Sequence, residues 1–131
     1  MGLSIQAATN QKRILIVADD LDSSLFYELT LKDAGFYVNV YNDPLDALSK
    51  FKPKFYDILL IDVRMPRLNG FKLFQKIRKK DDKVKVCFMT AFELYYEAMV
   101  ERYPLLRNVC FIRKPISSKD LIEHIQRVLL G

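Results

Sequence analysis

Ile58-Leu59-Leu60-Ile61-Asp62-Val63-Arg64-Met65-Pro66-Arg67-Leu68-Asn69-Gly70 opens on an apolar run that ends abruptly on a carboxylate. So short an apolar run reads as a strand buried on both faces, as in a parallel sheet. A charge inside that sheet is costly, so Asp62 belongs where the strand leaves it. In open α/β sheets the carboxyl ends of the strands face the binding crevice. Pro66 and Asn69-Gly70 then punctuate a loop. Phe71, Phe74 and Ile77 follow at helical spacing, which predicts a helix over 70–80.

The same arrangement recurs on either side. Toward the N-terminus, Arg13 to Val17 is a second buried strand, followed directly by Ala18-Asp19-Asp20. Asp22 is the expected N-cap of the next helix, Leu25, Phe26 and Leu29 its expected buried face, and Gly35 its left-handed stop. Residues 36–41 alternate more and carry Asn39, which suits a strand nearer an edge. Asp43-Pro44 is a cap followed by proline at the first helical position; Ala47, Leu48 and Phe51 form a short apolar face that Pro53 closes. Toward the C-terminus, Val84 to Met89 is a fourth strand with Thr90 on its end. A helix over 92–103, rich in aromatics and methionine, is ended by Pro104. Asn108 to Ile112 is a fifth strand leading into Arg113-Lys114-Pro115. Ser117 and Asp120 form a capping box, and Leu121, Ile125 and Val128 make the buried stripe of the last helix. Met1 to Lys12 lacks periodicity and reads as a loose tail. Five strands alternating with five helices argue an α/β fold, a parallel sheet covered on both faces.

Composition bounds the function. The chain has 131 residues, half of them hydrophobic and 28% charged, enough for one domain that buries about two-thirds of its unfolded surface. No apolar run approaches the roughly 18 residues of a membrane span. Met1-Gly2 resembles a myristoylation start, but Gln6 breaks the pattern. Cys87 and Cys110 lie in apolar runs, read as buried free thiols, and suit no zinc spacing; they fit a reducing cytoplasm. The net charge of +5 arises locally: residues 72–85 hold seven Lys/Arg against Asp81 and Asp82. Lys72, Lys76, Lys79 and Lys83 share a helical stripe if the helix runs that far. A solvated face explains them, and without interleaved aromatics nucleic-acid binding is disfavoured. His124 reads as exposed and inert. Tyr95, Tyr96 and Met99 read either as helix packing or as a partner surface.

Parallel strands bring their tips to one edge: Asp19 and Asp20, then Asp62, Thr90 and Lys114. Each alone has a bland reading, as a strand-end cap, β-branched filler or a solvated lysine. Together, clustered carboxylates need a cation to offset their repulsion. Oxygen-only ligands favour Mg²⁺. Acids for a metal, a central carboxylate nucleophile, an amine and a hydroxyl suit phosphoryl transfer to a side chain.

The segments Ile14 to Asp20, Asp62 to Pro66 with Asn69-Gly70, Met89-Thr90-Ala91 and Lys114-Pro115 together resemble the receiver domain of two-component response regulators. The resemblance spans about 13–130, and the order and spacing of four motifs make it specific. It implies a flavodoxin-like, doubly wound five-stranded parallel sheet of order 2-1-3-4-5 with five helices, with a tail over 1–12 and the receiver domain over 13–131. It implies that Asp62 accepts a phosphoryl group from the phosphohistidine of a sensor histidine kinase or phosphotransfer protein. It implies Mg²⁺ held by Asp19, Asp62 and the backbone carbonyl of Arg64, Thr90 as the switch hydroxyl, Lys114 as the active-site amine and Phe111 as the switch aromatic, here without a hydroxyl. Arg64 and Phe92 fall at positions that tune phosphoryl lifetime, and their bulk predicts slow self-dephosphorylation. The implied output is a signalling receiver, not an enzyme in the ordinary sense. It would be cytoplasmic and off the membrane, a monomer or phosphorylation-dependent homodimer, meeting a downstream protein through its fourth helix, fifth strand and fifth helix.

One departure stands out. Ala18 occupies the place of the first acid of the family's pair, so the outer-sphere carboxylate is missing unless Asp20 bends in to replace it. This motivates a second reading, a pseudo-receiver that binds partners without cycling phosphate. A third, a flavodoxin-like cofactor or nucleotide enzyme, is disfavoured because no glycine-rich phosphate loop follows the first strand.

Overall fold

The computed structural model describes residues 11–91 and 96–131. Five strands, β1 (Arg13–Val17), β2 (Tyr37–Tyr41), β3 (Ile58–Asp62), β4 (Lys85–Thr90) and β5 (Cys110–Arg113), form one sheet of order β2-β1-β3-β4-β5. Every neighbouring pair is parallel. Among the described residues the strands alternate with helices α1 (Leu21–Asp33), α2 (Pro44–Lys50), α3 (Gly70–Arg78), α4 (Tyr96–Arg102) and α5 (Ser118–Leu130), and a 3₁₀ turn at Pro104–Leu106 precedes β5. The expected doubly wound order is therefore present.

The strand sequences explain the layering. Residues alternate between faces along a strand, so a strand covered on both sides is apolar throughout. All of β3 is buried. Leu59 and Ile61 enter one core with Phe71, Phe74 and Phe88, whereas Ile58 and Leu60 enter the other with Tyr27, Leu31, Leu121 and Ile125. β2 lies at an edge, as its mixed pattern suggests.

Local chemistry sets the boundaries. Asp43 caps α2 by accepting from Leu45 N at 3.0 Å, and Ser117 caps α5 by accepting from Asp120 N at 3.1 Å. Gly35 has φ +99°, the left-handed stop after α1. Asn108 also has positive φ, so β5 starts two residues later than the apolar pattern suggests. α3 stops at Arg78 because the chain turns around Asp81, whose buried carboxylate accepts from the backbone N–H groups of Lys54, Lys83 and Val84. Lys83 therefore lies beyond the helix and off the proposed lysine stripe. At the start of β4, Lys85 Nζ donates to the carbonyls of Val128, Leu129 and Gly131, binding the end of α5 to the sheet.

Two expectations about α1 are corrected. Its cap is Asp20, not Asp22: the Asp20 carboxylate accepts from Ser23 N and Ser23 Oγ. Its buried face is Ser24, Tyr27 and Leu31. Leu25, Phe26 and Leu29 instead face solvent, at 51%, 39% and 58% exposure. His124 is half-buried rather than exposed. Residues 11 and 12 are tied down, Gln11 Nε2 donating to Gly35 O at 3.0 Å and Lys12 O accepting from Tyr37 N at 2.9 Å. The rest of the expected tail, and the 92–95 part of the expected fourth helix, lie outside the described residues. So do the side chains of Tyr95 and Tyr96, while Met99 is partly buried against the core that contains Phe71.

Candidate functional site

The carboxyl ends of the strands assemble the site. Asp62 is the last residue of β3 and is 3% exposed. Its backbone is fixed by two neighbours. Val63 N donates to Met89 O at 3.0 Å, joining the loop to β4, and Gly70 N donates to Val63 O at 2.8 Å, folding α3 back onto the strand end. A Cβ at Gly70 would collide with the Asp62 backbone carbonyl and crowd Ile61. Glycine is what allows α3 to start this close, and Asn69 caps it by accepting from Lys72 N at 2.9 Å.

Lys114 is carried in by β5. Its backbone N–H donates to Thr90 O at 2.8 Å, so the amine and the hydroxyl residue are bound to each other through the main chain. Thr90 ends β4 and is 6% exposed. The Lys114–Pro115 bond is cis. Lys114 Nζ reaches Asp62 Oδ1 at 2.9 Å. The contact is a close ion pair between a buried carboxylate and a partly buried ammonium.

The pair is electrostatically asymmetric. Burial pushes the Asp62 carboxyl above the ordinary range; the Lys114 ammonium opposes that rise, and the negative charges of Asp19 and Asp20 add to it. For Lys114 burial works against the charge, yet Asp62, Tyr27 and Asp19 outweigh it and hold the ammonium above its usual value. The ion pair wins at the lysine, which keeps a quarter of its side chain in solvent, and burial wins at the aspartate, which keeps almost none.

Asp19 and Asp20 leave the end of β1 exposed. The preceding Ala18 is held at both backbone atoms. Its N–H donates to Tyr41 O at 3.1 Å, and its carbonyl accepts from Asn42 Nδ2 at 2.8 Å. Asn42 also donates to Ser24 Oγ at 2.9 Å, so one side chain ties the ends of β1 and β2 to α1. Asn42 is a positioning residue that the sequence reading passed over. Its signal was its place directly after β2, at the same edge as Asp19. Tyr27 was missed too: it is buried and close enough to Lys114 to influence it. With Phe26, Ala91, Pro115 and Ile116 it borders a groove of about 470 Å³ beside Lys114.

The structure sorts the remaining sequence candidates. Asp20 is engaged as a cap, and hydrogen bonds from Ser23 hold its carboxyl below the ordinary range. Ala18 is 1% exposed and brings no charge. Arg64 is exposed in the loop after Asp62. Phe111 is half-buried and stacks on Phe88, ring centroids 5.7 Å apart, and meets Phe71 edge-on at 6.2 Å. Phe92 lies outside the described residues. No three acidic, histidine or cysteine side chains among the described residues gather closely enough to hold a metal by themselves. The donors that fit Mg²⁺ are the Asp19 and Asp62 carboxylates and the Arg64 carbonyl, a hard, oxygen-only set in which water would complete the shell.

Comparison with known proteins decides the family. The response regulator receiver domain matches residues 14–126. The chain belongs to the response regulator receiver domain family. This receiver is 28% identical over 120 residues to the response regulator receiver protein CpdR of Brucella abortus, covering 92% of this chain and 98% of that one. It is 31% identical to a probable transcriptional regulator, ycf27, of Guillardia theta, covering 97% of this chain but 48% of that protein. The chain thus spans about half the length of several relatives it matches. Among solved structures, the non-phosphorylated HemR receiver domain of Leptospira biflexa superposes with a TM-score of 0.80 at 28% identity, covering 91% of this chain and 94% of that one. The receiver domain of a Pseudomonas aeruginosa sensor histidine kinase, with magnesium coordinated in its active-site cleft, has the same fold, with a TM-score of 0.78 at 24% identity over 92% of this chain and 99% of that one. No helix among the described residues is long and apolar enough to cross a membrane.

Proposed function

We propose that this receiver, over residues 13–131, takes a phosphoryl group on Asp62 from the phosphohistidine of a sensor histidine kinase or phosphotransfer protein. The observation that supports this most is the buried Asp62 carboxylate facing Lys114 at 2.9 Å, with Thr90 bound to Lys114 through the backbone. Asp62 supplies the nucleophilic oxygen. Lys114 supplies a positive charge for the phosphoryl oxygens, and Thr90 supplies a hydroxyl donor. Mg²⁺, held by Asp19, Asp62 and the Arg64 carbonyl, would neutralise charge on the transferring group. Arg64 and Phe92 would shield the acyl phosphate and slow its loss.

Phosphorylation draws Thr90 toward the new oxygens and alters the surface of α4, β5 and α5, where a downstream protein binds. Phe111 already rests on Phe88 and Phe71, so its part is a change within an inward-facing cluster rather than a swing from solvent. The protein acts as a cytoplasmic signalling switch, without ordinary catalysis of a foreign substrate.

Incubation with acetyl phosphate and Mg²⁺, followed by intact mass, tests the reading. One added phosphate, absent in Asp62→Asn, supports it. No addition supports the second reading, a phosphorylation-independent binding module, which is favoured by Ala18 in the acidic position and Asp20 engaged as a cap.

A further inference from the structure

We propose that Cys87 and Cys110 are a redox site, a thiol pair spanning β4 and β5 that a peroxide closes into an intramolecular disulfide. Both cysteines are free and stand directly opposite each other in the parallel β4–β5 pair. Opposed residues on neighbouring strands point to the same side of a sheet, and both thiols lie in the core that holds Met89, Ile112 and Leu121. Neighbouring strands run about 4.8 Å apart, within the roughly 4.4–6.8 Å that Cα atoms span in a disulfide. The bond therefore needs rotation of side chains, not rearrangement of the sheet.

The two thiols differ in a way that orders the steps. Cys87 is fully buried; Cys110 is half-buried on an edge strand and meets solvent first. A hydrogen bond from the Cys87 thiol holds the Cys110 thiol below its ordinary range; burial opposes this and the Arg127 guanidinium assists it. The same bond, followed by burial, keeps Cys87 protonated. Cys110 as thiolate attacks one peroxide oxygen. The O–O bond breaks, hydroxide leaves and takes up the Cys110 proton as water, and a sulfenic acid remains. The Cys87 sulfur then attacks that sulfur. The S–O bond breaks, and the departing hydroxide collects the Cys87 proton as a second water. Two thiols lose two electrons in all, and the peroxide gains them.

The location gives the bond a consequence. Thr90 follows Cys87 on β4, and Lys114 follows Cys110 just past β5. Closure ties together the two strands that carry the hydroxyl and the ammonium. The test does not depend on phosphorylation. The full chain is treated with hydrogen peroxide, then alkylated under denaturing conditions, and its intact mass and tryptic peptides are measured. The expected result is a mass lower by two hydrogens, neither cysteine alkylated, a Cys87 peptide joined to a Cys110 peptide, and full reversal by dithiothreitol. Cys110→Ser should show no loss of hydrogens and leave Cys87 open to alkylation. Cys87→Ser, if it folds, should retain a sulfenic acid at Cys110 that dimedone traps. Two alkylatable thiols after peroxide, over-oxidation of Cys110 with Cys87 unchanged, or disulfides found only between chains would each overturn the proposal.

Discussion

Lys114 and Asp62 form an ion pair at 2.9 Å in which the lysine keeps its charge easily and the aspartate does not. Removing the lysine leaves a buried carboxylate beside two further acids, so Lys114→Ala should raise the Asp62 carboxyl pKa further, as read by NMR titration. Phosphorylation by acetyl phosphate should slow by about 10²-fold, the usual cost of losing one preorganised charge-stabilising group.

Asp62→Asn should separate stability from function. The folded-state pKa of Asp62 is raised, so its stabilising contribution is complete below the unfolded value of 3.8 and declines as pH rises through the folded pKa. Wherever the carboxylate is ionised it is therefore a burden on folding. The variant should melt higher than the wild type at pH 7, the difference should shrink as pH falls toward 4, and the phosphate adduct should disappear. Thermal melts across pH check this.

Asp81 has the opposite sign. Burial alone would raise its pKa, but the N–H groups of Lys54, Lys83 and Val84, with Arg78, hold it below 3.8. Its contribution is present above pH 3.8 and is lost as pH falls through the folded pKa. Asp81→Ala leaves buried donors without their acceptor and should cost about 2–4 kcal/mol at pH 7. The gap between the two proteins in urea melts should narrow at low pH.

Opposite faces of α1 should respond differently to substitution. Leu31 is fully buried and Leu25 is half exposed. Leu31→Ala should cost about 2–5 kcal/mol, whereas Leu25→Ser should stay within about 0.5 kcal/mol. Equal losses in urea unfolding would refute the assigned face.

Ala18→Asp restores an acid at the end of β1. It should tighten Mg²⁺ binding, measured by calorimetry on wild type and variant at the same pH. Equal affinities would show that the missing carboxylate has no consequence.

The strand ends were the most legible part of the sequence. An apolar run stopped by Asp62 or Thr90 marks both the strand and its exit, because burial on two faces and the cost of charge act on the same few residues. The caps at Asp43 and Ser117 were equally readable, since each side chain meets its own backbone. α1 was not. It carries apolar residues around its whole circumference, so spacing alone does not select a face. Ser24 is buried because Leu21 O and Asn42 satisfy its hydroxyl, a tertiary arrangement that no local pattern encodes. The cap was misplaced for a similar reason: Asp20 and Asp22 are both suitable, and Ser23 selects the first. Asp81 stopped α3 through a bond to Lys54, 27 positions away.

The Lys85 clasp on the carbonyls of Val128, Leu129 and Gly131 has a geometrical corollary. Lys85 opens β4 and Thr90 closes it, so the clasp sits at the opposite rim of the sheet from Asp62. A polypeptide appended after Gly131 would therefore begin at that far rim, across the depth of the sheet from Asp62.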